Sequence, residues 1–82
     1  MTWNYRVIRE RDEDEEGGYA YSLCEACYND GQELPKGVIL YVELRSGTID
    51  GLRQHIEKIP LALTKPIIEH TGKGFIEVED NG

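Results

Sequence analysis

The chain has 82 residues, of which 39% are hydrophobic, and a formal charge of −7. That length holds one small domain, and the apolar share is too high for a disordered acidic chain. The negative balance repels phosphate backbones and so disfavours nucleic acid as a partner, and no stretch approaches the ~20 apolar residues of a membrane span.

Residues 3–9 read as a strand, with Trp3, Tyr5 and Val7 on one face and Asn4, Arg6 and Ile8 on the other. Residues 10–18 read as a flexible acidic loop. Residues 10–16 hold six acids and one arginine, and like-charge repulsion favours an extended run with Gly17 and Gly18 as its exit. Residues 19–28 form a second strand with neither face strongly polar, which suits a central position. Asn29-Asp30-Gly31 tolerates positive φ and marks a turn. Residues 38–45 show the cleanest alternation, and Val38, Leu40, Val42 and Leu44 are expected to face a helix. Consecutive strands with short connections favour an antiparallel meander.

Residues 48–64 supply that helix. Ile49, Leu52, Ile56, Ile59 and Leu63 recur at spacings of three and four, with polar residues between them. Thr48 is the expected N-cap, and Asp50 sits where the helix dipole favours an anion. Pro60 predicts a kink near residues 56–60 or a helix end there, and Pro66 ends the element. Residues 67–70 and 75–78 flank Thr71-Gly72-Lys73-Gly74. They read either as a hairpin or as one short edge strand followed by a frayed acidic tail at 79–82.

The expected fold class is therefore α+β, in the order β-β-β-α. It is a three-stranded antiparallel meander packed against one amphipathic helix, with an extra C-terminal strand or hairpin, in a single domain of residues 1–82. The expected core is Tyr5, Val7, Tyr21, Leu23, Val38, Leu40, Val42, Leu44, Leu52, Ile56, Ile59 and Leu63.

The opening run Trp3-Asn4-Tyr5-Arg6-Val7-Ile8 is distinctive, as is the segment from Tyr21-Ser22-Leu23-Cys24 to Asn29-Asp30-Gly31. With Ala62-Leu63-Thr64-Lys65-Pro66-Ile67-Ile68 they resemble a group of short bacterial and phage-associated proteins of unknown function. Those chains open on a W-N-Y-R-V-type strand and close a helix on an Ala-Leu-x-x-Pro-like stretch. The resemblance implies three strands followed by a helix and a bacterial or phage setting, and it implies no site residues. Cys24, Ala26 and Cys27 depart from the group's pattern.

Several residues suggest chemistry. Cys24 and Cys27 have the spacing of a redox pair, but residues three apart on a strand point to opposite faces, so the two sulfurs are expected to diverge. Adding His55 and His70 makes a zinc-like ligand count, yet fourteen residues separate the histidines against three to five in a finger. His55 is expected off the apolar stripe and exposed, and His70 solvated near a turn. Glu25 and Glu43 are expected on neighbouring strands, either as a carboxylate pair suited to acid–base work or, as such residues more often are, facing solvent and paired across the sheet with Arg6 or Arg45. Thr71-Gly72-Lys73-Gly74 lacks the rest of a phosphate loop and reads as a turn.

The reading is a small acidic non-enzymatic protein with no cofactor, no catalytic residue and no metal. It would act as a protein-interaction or regulatory module, binding a protein partner or itself, a homodimer included, through an uncovered sheet face. The candidate partner-binding residues are the aromatics Trp3, Tyr19, Tyr28 and Tyr41 and the acids Asp12, Glu13, Asp14, Glu15 and Glu16. The alternatives are a phage-type inhibitor that mimics nucleic-acid charge, and a small metal or redox protein built on the cysteines. With no apolar export segment at the N-terminus, the expected setting is cytoplasmic.

Overall fold

A computed structural model describes residues 2–42 and 44–79. In chain order the elements are β1 (Thr2–Arg11), β2 (Tyr19–Tyr28), β3 (Gly37–Ile39), α1 (Ile49–Ala62), β4 (Ile67–Thr71) and β5 (Gly74–Val78). The strands form one sheet in the order β3-β2-β1-β4-β5. β1 is parallel to β4, and the other neighbours are antiparallel.

The expected three-stranded meander is thus corrected to a five-stranded mixed sheet with one helix. The reason lies in the edges of β1. β2 occupies one edge along the full ten-residue register from Thr2↔Tyr28 to Arg11↔Tyr19. The other edge is free until α1 carries the chain across the sheet and delivers β4 beside it, pairing Ile8 with Ile68 and Arg9 with Glu69. A parallel neighbour requires such a crossover. Of the two readings of residues 67–78, the structure takes the hairpin, β4 with β5.

β3 is also shorter than its alternation suggests, because only Gly37, Val38 and Ile39 pair with β2. Leu40, Tyr41 and Leu44 lie exposed beyond it. Val38 packs against the buried cluster of Ile8, Cys24 and Ile68, as does Phe75 from the opposite end of the sheet. Val38 and Leu40 line one depression together with His70 and Phe75. The two ends of the sheet therefore curl towards each other over this face.

Cross-strand partners share a face. Asn4, Arg6 and Ile8 lie with Ala26, Cys24 and Ile68, while Trp3, Tyr5 and Val7 lie with Cys27, Glu25 and Leu23. The helix crosses the second face, where Tyr5 meets His55. The fully buried side chains Ile8, Cys24 and Ile68 are on the first. The expectation of a sheet face left open opposite the helix is corrected accordingly, since among the described residues that face holds the largest fully buried side chains.

The expected core is corrected with it. Of its members only Tyr5 is fully buried, whereas Tyr21, Leu40, Leu44, Ile56 and Leu63 are exposed. α1 presents Leu52, His55, Ile59 and Ala62 to the sheet, and only Ala62 among them is fully buried. The row Ile49, Ile56 and Leu63 lies roughly a quarter-turn further round the helix and faces outwards. The helix runs through Pro60, which falls in the last turn and there forfeits one backbone bond. Thr48 caps the other end, its Oγ1 accepting from the Gly51 N–H at 3.0 Å. Gly51 leaves room for the Ser46 side chain, into which a Cβ would run.

Candidate interaction surface

The aromatics expected to meet a partner have mostly been recruited by the fold. Trp3 and Tyr5 stack edge to face at 5.3 Å, and His55 lies 6.3 Å from the Trp3 ring. Lys58 sits over the same indole at 5.3 Å, a cation–π contact that ties the helix to the strand. Trp3 stays half exposed beneath them. His55 is half-buried, with Nδ1 3.2 Å from the Tyr5 hydroxyl, and is not the exposed residue expected. Burial and then the Glu25 carboxylate hold the Tyr5 phenol above its usual range, so the hydroxyl keeps its proton beside the imidazole.

Tyr28 is 6% exposed and serves the core. Its hydroxyl accepts from Arg6 Nη1 at 2.8 Å and donates to Asn4 Oδ1 at 2.8 Å. Tyr19 is partly covered, with the Arg9 guanidinium 4.2 Å over its ring. Tyr41, at 91% exposure, is the one candidate aromatic that stands clear of the protein.

β1 continues to Arg11, so the acidic connection is shorter than residues 10–18 and starts at Asp12. It folds back on itself instead of extending. Asp12 N–H donates to the Gly18 carbonyl at 2.9 Å, Gly18 N–H to the Glu15 carbonyl at 2.9 Å, and Asp14 N–H to Asp12 Oδ1 at 3.0 Å. Gly18 makes the return with φ of 80°, a conformation that suits glycine. Glu13, Asp14, Glu15 and Glu16 remain exposed on the turn.

Arg6 does not pair with Glu25 across the sheet. It is buried, and its Nη2 donates to the Pro66 carbonyl at 2.7 Å and to Glu77 Oε2 at 3.0 Å. Glu43 lies outside the described residues, so the expected carboxylate pair has no described geometry. His70 is exposed, with its ring 5.0 Å from Phe75.

Cys24 and Cys27 are free thiols on opposite faces of β2, opposite Arg6 and Trp3 respectively. Burial pushes the Cys24 thiol up to about 11, against the smaller opposing influence of Arg6. A protonated, buried thiol is a poor nucleophile and a poor metal ligand. Because its folded value exceeds the unfolded one of 9.0, stability should hold below pH 9 and fall as pH rises towards 11. Tyr5, also raised, adds to the same alkaline loss. At pH 8 a thiol reagent should modify half-buried Cys27 and reach Cys24 only on unfolding. Equal rates for the two cysteines would contradict the burial. Among the described residues no group of three or more His, Cys, Asp or Glu side chains is placed to hold a metal ion.

The surface that sequence reading missed is the helix side. Ile49, Ile56 and Leu63 are 71%, 49% and 78% exposed. At its C-terminal end the row runs into a groove of about 990 Å³ between helix and sheet, whose lining combines apolar Val7, Ala62 and Ile67 with charged Lys65, Glu77 and Glu79. The signal was present as an apolar stripe, but a stripe does not say which of its sides meets the sheet. No protein family, curated protein or solved structure matches the chain. Among the described residues no helix is long and apolar enough to cross a membrane.

Proposed function

We propose that this chain is a small acidic, non-enzymatic interaction module whose protein partner docks along α1 and the groove at its C-terminal end. The observation that carries this reading is the outward row Ile49, Ile56 and Leu63, continuous with an apolar groove. One exposed apolar side chain is ordinary, whereas a row of three leading into a groove has the character of a docking surface. Its occupant is a protein segment with apolar side chains at helical spacing and a net positive charge. The charge of −7 steers such a basic partner in and turns nucleic acid away. Two free thiols that cannot reach each other suit a reducing cytoplasmic setting.

The test places a photo-crosslinkable residue at position 56 or at position 13 in the full chain, in cells. The expected result is one basic partner crosslinked from position 56 alone. The Ile56→Glu/Leu63→Glu variant, with unchanged circular dichroism, should lose it. Crosslinks from position 13 alone, or retention unaffected by the double variant, would sink the reading.

A further inference from the structure

β5 closes one end of the sheet, and among the described residues no strand pairs with its outer edge. An unpaired edge turns backbone N–H and C=O groups outwards, and such edges are usually blunted by brevity, proline, lysine or a bulge. The opposite end is blunted, since β3 has three residues. β5 is longer and less protected: its sequence Gly-Phe-Ile-Glu-Val holds no proline, its one charge, Glu77, is engaged by Arg6, and its central Ile76 is 43% exposed.

We infer that this edge pairs with the same edge of a second copy of the chain, antiparallel, about a twofold axis through Ile76. Overlap selects the register. Only centring on Ile76 pairs all of Gly74–Val78 with itself, setting Ile76 against Ile76, Phe75 against Glu77 and Gly74 against Val78 of the second copy. A shift by two in one direction places Glu77 against Glu77, and a shift in the other leaves two residues of each strand facing no strand. In the centred register every pair joins two odd or two even positions. Outward-facing amides then meet outward-facing amides, and side chains keep their faces.

Charge is complementary in this register. One step beyond the strand, exposed Lys73 meets exposed Glu79 of the second copy, with Glu77 of that copy diagonal to it. The twofold axis repeats the attraction. Among the described residues, neither Lys73 nor Glu79 takes part in an ion pair within its own chain. The net charge opposes association at long range, but that repulsion is screened beyond about 8 Å at physiological ionic strength. A short strand pair makes a weak dimer, so the assay must reach high concentration.

Sedimentation velocity on the full chain, from about 1 µM to about 1 mM at ~0.15 M salt, should show a dimer fraction that rises with concentration. Lys73→Glu turns two attractions into two repulsions and should weaken dimerisation by at least about tenfold. The swap Lys73→Glu/Glu79→Lys should return it to within about threefold of the wild type. Both positions are exposed, and circular dichroism checks that each variant folds. A chain monomeric throughout, a Lys73→Glu variant that dimerises like the wild type, or a swap that fails to restore association would each overturn the pairing. Leu63→Glu should leave the dimer intact, so this inference and the docking reading fail separately.

Discussion

Ile68→Ala should cost about 3 kcal/mol in urea denaturation, while Leu63→Ala should cost less than about 0.5 kcal/mol. Both remove the same class of side chain, and the contrast comes from where each one sits. Ile68 has no exposed surface, stands beside Ile8 in the parallel pair, and is closed in by Cys24 and Phe75. Truncation there leaves a cavity that two paired strands cannot collapse to fill. Leu63 is 78% exposed at the helix C-cap and has little burial to lose. A chain of this length has a total stability of only about 4–12 kcal/mol, so Ile68→Ala removes a large share of it. Equal losses for the two variants would mean that the structural core lies under the helix after all.

That contrast also marks how far periodicity can be read. The strands at Thr2–Arg11 and Tyr19–Tyr28, the helix and its Thr48 cap were legible, because alternation, helical spacing and a capping hydroxyl are local signals. The hairpin was visible as one of two readings, since Gly72 and Gly74 bracket a turn without saying what pairs beyond it. The parallel pairing of Ile8 with Ile68 was not legible. Nothing within either strand encodes a partner sixty residues away across a helix. The core face was misread for a related reason. On β1 both faces carry apolar residues, Tyr5 and Val7 on one and Ile8 on the other, and the helix was assumed to cover the better one. Arg6 conceals that face further, since a charged residue beside Ile8 is ordinarily a mark of solvent, whereas this arginine is almost wholly buried. On the helix, His55 appeared to stand off the stripe, but the turn that meets the sheet is the one bearing His55 and Ala62.

Glu77→Ala should be among the most damaging changes outside the apolar cluster, at about 2–3 kcal/mol, although Glu77 itself is partly exposed. The cost falls on Arg6. That guanidinium is 3% exposed and is held by Tyr28, the Pro66 carbonyl and Glu77, while its Nε has no partner. Removing the carboxylate leaves a buried cation with two neutral acceptors and no counter-charge. The network also joins β2, β5 and the start of β4 to β1, so its loss loosens both sides of the central strand. If the penalty is an uncompensated charge, removing that charge should relieve it. The double variant Arg6→Met/Glu77→Ala keeps apolar volume and leaves Tyr28 bonded to Asn4. It should therefore be more stable than Glu77→Ala alone by about 1 kcal/mol, a coupling that a double-mutant cycle in urea reads directly. Additive losses from the two single changes would show that Arg6 and Glu77 act independently and that the buried arginine is held by its neutral hydrogen bonds alone.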